Sequence, residues 1–372
     1  MMCAARLERS QRVLVLEGNE KVGAKIAVSG GGKCNITNKY VDKSNYVGNL
    51  KYVHETLARF DNKALLAYLQ NRGLEPVLKK GRFYFCPKSA QQLIDLLKRE
   101  TKEKEFLLKT KVHTVTKDAN KLFYIETSRG VFHAKKVVIA SGGKSFPSLG
   151  ATDVALEIAK SFQMAYSDFK PALVGLTLQR EQFWFKTLTG VSLDVAISVN
   201  GKKIAGSLLF AHRGISGPAV LNTSLYWKKG EITVDFFPGG DVETLVRKGN
   251  KRHISSVIPL PKRFVKAFLE HIGLEDKACN RLQDVEFKQL KRLHAYTFAP
   301  AGNFGFSKAE VSLGGIDPEE LYSTFESKTI EGLYILGEAL DVTGELGGYN
   351  FQWAFSSAVV CAADINEKSK NK

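Results

Sequence analysis

The first apolar run of the chain, RVLVLE at residues 12–17, is continuous and closes on a glutamate. A run without polar alternation belongs to a strand covered on both faces, as in parallel sheets. KVHTVTKD at 111–118 alternates instead, which predicts a half-exposed strand, and KLFYIETSRG and VFHAKKVVIASGG continue with strand character. Helical spacing of apolar residues lies between these strands, around 61–72 and 89–104. Strands that alternate with helices predict a β/α sheet over the first 170 residues.

From Pro171 the texture changes to short alternating segments parted by glycine turns: LVGLTLQR, SLDVAISVNGKKIAGSLLF and EITVDFFPGG. Asn200-Gly201 is a strong hairpin signal. Residues 241–295 read as Lys- and Arg-rich helices broken at Pro259 and Pro261. After residue 310 the first texture returns, with the buried strand GLYILGEAL and a helix beginning near Tyr349. The pattern therefore predicts an α/β, Rossmann-like domain built from both chain ends, 1–170 and 310–372. Inserted in it are a β-rich, barrel-like domain of 171–245 with 290–309 and a small helical domain of 246–289.

Composition changes this picture little, since 44% hydrophobic and 25% charged residues are ordinary for a globular protein. No apolar run approaches the roughly 18 residues of a membrane span and no signal-peptide pattern opens the chain, so the expected location is cytoplasmic. Cys3, Cys34, Cys86, Cys279 and Cys361 are scattered, odd in number and never spaced C-x-x-C, which argues against a disulfide framework or a zinc site. The net charge of +16 favours anionic partners, yet much of the excess is spread over Lys pairs at turns. One denser stretch, Val246–Lys266, is a candidate basic face.

Glu17 stands where a dinucleotide-binding βαβ unit places its ribose-binding acid, about 20 residues after a glycine-rich loop. Counting back that distance reaches Met1 or beyond, so the first strand and phosphate loop are absent from the sequence. The expectation is that they lie upstream of Met1; the alternative is a true truncation. GNEKVGAKIAVSGGGKCNITN follows Glu17 closely, and its glycines let the backbone approach a bound group. GGKS at 142–145 only imitates a nucleotide-binding phosphate loop, because Val138 stands where that motif needs glycine. GISGP at 214–218 fails the G-x-S-x-G spacing of a nucleophile elbow, and no strand-to-helix pattern is expected around it. In LYILGEALDVTGELGGYNFQWAFSSA, a buried strand ends at Gly337-Glu338, Asp341 follows, and Gly347-Gly348 opens a helix. The N–H groups of a helix start favour partial negative charge.

Glu17, SGGGKCNITN, VVIASGG and GEALDVTGELGGYN, with GSLLFAHRGISGPAVLNTS, KPALVGL and VSLGGIDPEELYSTFESK, resemble in order the bacterial BaiN-like or aminoacetone-oxidase-like flavoproteins. These are relatives of the two-dinucleotide-binding-domain flavoproteins, and the likeness spans essentially the whole chain. Departures are Lys33 where that family usually has Arg, a loosened GRFYFCPKSA, and the missing N-terminal G-x-G-x-x-G.

The resemblance implies an FAD-dependent oxidoreductase with FAD extended across the sheet. Glu17 would take the adenosine ribose, Val112 the adenine edge through its backbone, and Ala140, Ser141, Gly142 and Gly143 the crossover near the diphosphate. Lys25, Ser29, Gly30, Gly31, Gly32, Lys33, Cys34, Asn35, Thr37 and Asn38 would line the ribityl chain and isoalloxazine. Asp341 would hold ribityl or phosphate oxygens, with Gly337, Glu338 and Gly347 in the same cofactor-binding set. Gly348, Tyr349, Asn350 and Phe351 would present backbone N–H groups to the flavin pyrimidine, where reduction places negative charge.

Chemistry would be hydride exchange at flavin N5 with a small-molecule substrate, NAD(P)H being the donor the family suggests. Cys34 is the candidate redox or proton-transfer partner, with His212 and Arg213 as alternative substrate or structural residues. One rival reading, a flavin-dependent tRNA-modifying protein, suits the basic balance; another is a flavoprotein-derived scaffold without catalysis. Nucleic acid is the less favoured partner, and no membrane association is expected.

Overall fold

The apolar run at 12–17 becomes the strand Leu14–Leu16, paired in parallel with Glu105–Leu107. Val137–Ile139 pairs in parallel with Leu333–Ile335, whose three side chains are wholly buried. The two parallel pairs are separate two-stranded sheets, with no ladder joining them. The computed structural model from which these pairings come describes residues 1–370. It divides into two units, Met1–Pro171 with the residues from Val311 onward, and Ala172–Glu310.

The first unit adds four antiparallel elements to its parallel pairs. Val112–Lys117, Phe123–Thr127 and Gly130–Ala134 form a meander whose middle strand alternates buried and exposed residues. Asn35–Asn38, Phe83–Phe85 and Val77–Lys79 form a second three-stranded sheet, with Phe83–Phe85 in the middle. Val342–Gly344 pairs with Tyr46–Gly48, and Tyr166–Ala172 with Val311–Ile316.

The helix Tyr349–Lys370 runs through this unit and buries Trp353, Phe355, Val360 and Cys361. Gln352, fully buried in it, accepts a 2.6 Å hydrogen bond from the Thr37 hydroxyl and donates to Ser356, so its burial is compensated. Trp353 donates its indole N–H to the Gly337 carbonyl at 2.9 Å, and truncating a side chain so buried costs about 3–5 kcal/mol. Among the described residues no helix is long and apolar enough to cross a membrane.

In the second unit the Asn200-Gly201 hairpin forms as its sequence requires: both residues have positive φ, 45° and 76°, and Val199 pairs with Lys202. Seven strands join in one antiparallel sheet, in which Tyr296–Phe298 and Gly302–Asn303 are the two outermost. Four Cα–Cα steps of about 3.8 Å separate Phe298 from Gly302, whereas seven flat strands at about 4.8 Å spacing would part these edges by roughly twice that reach. The sheet must therefore curl until its edges approach, which is the barrel-like form.

The helices of 246–289, expected as a small domain of their own, instead share the strands' core. Lys262–His271 buries Phe264, Val265, Phe268 and Leu269. Phe264 stands 4.9 Å from Phe236 and 5.9 Å from Phe210, ring centre to ring centre. One stripe on so short a helix closes no core alone and is covered by the sheet. GISGP also departs from expectation: Gly214–Ser216 is a strand and Pro218–Tyr226 a helix, so the segment does turn from strand to helix. Pro218 still occupies the fifth position of the motif, and it starts the helix with the fixed φ that such a position favours.

Candidate active site

The segment SGGGKC leaves the helical path because its residues turn left-handed. After an extended Ser29, φ is 55° at Gly30, 65° at Gly31, 80° at Gly32 and 46° at Cys34. Glycine enters this region without steric cost, and a run of three supplies the bend. The Cys34 N–H closes the loop on the Ser29 carbonyl at 3.0 Å. A Cβ added at Gly31 would meet nothing within 4 Å, so this side of the loop is clear. Just beyond it the Asn35 side-chain oxygen is buried without a hydrogen-bond partner. Such an atom costs about 1–3 kcal/mol unless a bound group satisfies it.

The C-terminal motif packs directly on this strand. Gly347 and Gly348 have φ of 137° and 92°, and a Cβ on Gly348 would lie 2.7 Å from the Thr37 Cα. Asn38 donates to the Gly347 carbonyl at 3.2 Å. The Asn350 amide binds both backbone groups of Gly344, each at 2.8 Å, which fixes the entry to the helix. Tyr349 is buried, its hydroxyl accepting from Arg82 at 3.2 Å and its carbonyl accepting from the Tyr46 hydroxyl at 3.0 Å. Burial raises the Tyr349 pKa above its ordinary value. Phe351, half-buried, stacks on Phe355. The side chains of Tyr349 and Asn350 are thus engaged in holding the turn.

A third group forms where Val137–Ile139 ends in Ala140, Ser141, Gly142 and Gly143. Glu338 accepts from Lys25 at 2.7 Å and from the Ser312 N–H at 2.8 Å. A Cβ on Gly143 would fall 2.5 Å from the Ser312 hydroxyl and 2.9 Å from the Glu338 carboxylate. Gly142, at φ 75°, faces open space. Gly337 is clamped between strand and helix, donating to Ser357 at 3.1 Å. The Asp341 N–H donates to the Ile316 carbonyl at 2.9 Å, which places Asp341 just before the strand Val342–Gly344.

Glu17 and Val112 form a fourth group. The Glu17 backbone bonds Leu107 and Thr110, its carboxylate accepts from the Asn19 N–H at 2.9 Å, and Val112 follows two residues after Thr110. The structure therefore joins the glycine loop to the C-terminal helix start and Lys25 to Glu338, while Glu17 is bonded to Thr110, two residues before Val112. His212 and Arg213 belong to the second unit, in the turn between Lys202–Ala211 and Gly214–Ser216. The 590 Å³ cavity of that unit, lined by His253, Lys266 and three carboxylates, has no glycine loop and is not this site.

Two residues were missed by sequence reasoning. Ser312 lies in a quoted motif but no spacing singles it out; its hydroxyl accepts from the backbone N–H of Lys144 and Ser145 at 2.8 and 3.1 Å. Cys86 continues the antiparallel register that pairs Asn35 with Phe85, and so stands opposite Cys34. Both cysteines are fully buried. The hydrogen bond between the thiols, and then burial, push the Cys34 pKa far above its usual value, so the proton stays on Cys34. Only the strand register could have revealed the pair.

The family model described as HI0933-like protein Rossmann domain matches residues 1–364. The chain belongs to this family. It is 35% identical over 385 residues to the ribosomal RNA dihydrouridine synthase of Haemophilus influenzae, covering 99% of this chain and 96% of that protein. It is 37% identical to the protein of the same name from Escherichia coli, covering 98% and 95%. The 3-dehydro-bile acid delta(4,6)-reductase of Clostridium scindens is 29% identical, covering 99% and 96%. A solved structure of E. coli quinol fumarate reductase FrdA shares the fold at a TM-score of 0.52 and 12% identity, over 99% of this chain and 68% of that one.

The HI0933-like chain accordingly carries a Rossmann domain, and the resemblance of its motifs implies FAD as its cofactor. The residues present fit the cofactor. An orphaned amide oxygen at Asn35, clear space at Gly31 and Gly142, and an acid at a strand end are the features an extended dinucleotide uses. Among the described residues no group of three or more His, Cys, Asp or Glu side chains is gathered to hold a metal.

Proposed function

We propose that this chain reduces a ring carbon–carbon double bond conjugated to a carbonyl, and that its substrate is a uracil base of ribosomal RNA. The observation that carries the reading is identity of 35% and 37%, over nearly the whole length, to two proteins named for that reaction. The bile-acid relative is also named for reduction of a ring double bond, so one chemistry is common to all three names.

Bound FAD would supply a hydride from N5, replenished by NAD(P)H. Glu17 would hold the adenosine ribose, with the Val112 backbone at the adenine edge. Lys25, kept in place by Glu338, and the glycines at 142 and 143 would flank the diphosphate and ribityl chain, with Asp341 on their oxygens. The N–H groups of Gly348 to Phe351 would face the flavin pyrimidine and favour negative charge there. Reduction also requires a proton on the second carbon. Cys34, held as the neutral thiol, yields its proton only to a strongly basic centre, such as a carbon next to a carbonyl that has just gained a hydride's electron pair.

The test is to record the visible spectrum of the purified protein and bleach it anaerobically with NADH or NADPH. The reduced protein is then offered ribosomal RNA, and dihydrouridine is measured by nucleoside mass spectrometry. Reoxidation by an unsaturated 3-oxo steroid, with ribosomal RNA left unmodified, would instead support a small-molecule reductase, the reading the Clostridium relative favours.

A further inference from the structure

The sheet that carries the glycine loop has an exposed edge along which cations and apolar side chains alternate. Its edge strand, Val77–Lys79, is exposed along its whole length, with Val77 and Leu78 at 41% and 43% exposure. Tyr40, which follows the strand Asn35–Asn38 at the other edge, is 62% exposed. Around these stand Lys39, Lys43, Lys79, Lys80, Arg82 and Lys88, all exposed, with the exposed carboxylates Asp42 and Glu75 among them. Among the described residues none of the six makes an ion pair, unlike Lys25, Lys109 or Lys144 elsewhere in this unit. Asp42 is occupied in capping the turn at Ser44 and Asn45.

Three of the cations lie over aromatic rings: Lys39 at 5.4 Å from Tyr40, Lys79 at 5.4 Å from Phe85, and Arg82 at 5.1 Å from Phe83. Cations along a backbone track with aromatic faces between them are what a sequence-tolerant single-strand binder needs. A bare edge strand with apolar side chains is otherwise a liability. The surface also borders the active site. A Cβ on Gly347 would come 3.0 Å from the Phe83 ring, and Arg82 donates to the Tyr349 hydroxyl. The basic stretch Val246–Lys266 lacks this combination: its Phe264 is buried in the core, Arg247 is paired with Glu243, and Arg263 is bonded to carbonyls of Thr187 and Thr189.

We infer that the sheet formed by Asn35–Asn38, Phe83–Phe85 and Val77–Lys79 is a docking surface for an unpaired RNA segment, which it guides toward the Gly347–Gly348 end of the site. Lysines and Arg82 meet phosphates; Tyr40 and the hairpin's rings take stacked bases. The inference rests on the RNA reading above and adds to it the place where the strand lies.

The experiment measures binding of a labelled oligouridylate of about 12 nucleotides to the full chain by anisotropy over a salt series, a length within the usual single-strand site size. Each phosphate contact adds roughly 0.7 to the salt slope on a single strand. Lys79→Ala with Lys80→Ala should lower the slope by about 1.4, and Tyr40→Ala should weaken binding by roughly 5- to 100-fold. Lys262→Ala with Lys266→Ala should change neither. All are exposed positions, and unaltered circular dichroism confirms folding. Wild-type binding that the hairpin variants retain in full overturns this surface and leaves the RNA reading standing. A wild-type protein that forms no dihydrouridine and binds no oligouridylate removes both. Binding to anionic lipid vesicles without binding to oligouridylate also overturns the surface, in favour of a membrane.

Discussion

Replacing Gly348 by alanine tests whether the C-terminal helix start is clamped on the glycine-loop strand. The new Cβ would meet the Thr37 Cα, carbonyl carbon and nitrogen at 2.7–2.8 Å, all backbone atoms that no rotamer change can move away. A left-handed backbone costs an L residue about 1–2 kcal/mol, and overpacking adds about 1–3 kcal/mol. The entropy lost from the unfolded chain returns about 0.4–1 kcal/mol. The net expectation is a loss of roughly 1.5–4 kcal/mol. Gly31→Ala is the matched control: its φ is 65° and nothing lies within 4 Å, so the strain less the entropy gain, a loss of roughly 0.5–1 kcal/mol, is all that remains. Hydrogen exchange in peptides of helix 349–370 under increasing urea reads this unit apart from the other. FAD retained on purification reads the site. If Gly348→Ala protects its helix no worse than Gly31→Ala and keeps as much FAD as the wild type, the clamp is wrong.

Four further outcomes follow from the same geometry. Gly142→Ala should lower FAD affinity at least tenfold while shifting apo stability by no more than about 1 kcal/mol, since its Cβ meets only open space; equal FAD affinity by titration would show that the diphosphate passes elsewhere. Asn35→Leu removes a buried oxygen that has no partner, so apo stability should hold or rise by up to about 1 kcal/mol in urea denaturation while FAD content falls. Glu338→Ala should cost about 1–3 kcal/mol, because the Ser312 N–H and Lys25 lose their acceptor, and Glu338→Gln should recover part of it by keeping an acceptor oxygen; equal losses would place the effect elsewhere. Burial raises the pKa of Tyr46, Tyr52 and Tyr334. Above pH about 10 the unfolded chain therefore releases protons that the fold keeps, so stability is intact below that pH and falls above it. Urea midpoints that stay level from pH 9 to 11 would contradict this.

Sequence alone settled the alternation of β/α and β-rich texture, the hairpin at Asn200-Gly201 and the start of the long helix at Tyr349, because each is written in local periodicity or in a turn that only certain residues allow. It also singled out the segments with unusual backbone, since a triple glycine or a glycine pair at a helix start has a backbone meaning on its own. Tertiary structure alone decided who meets whom. Thr37 against Gly348, Lys25 on Glu338 and Cys34 opposite Cys86 are contacts between residues far apart in the chain, and no local pattern encodes a register between distant strands. The same holds for the helices of 246–289, whose apolar stripe is visible in sequence while the surface that covers it is not. Periodicity tells a segment which face to bury; which partner buries it is fixed only when the whole chain has closed.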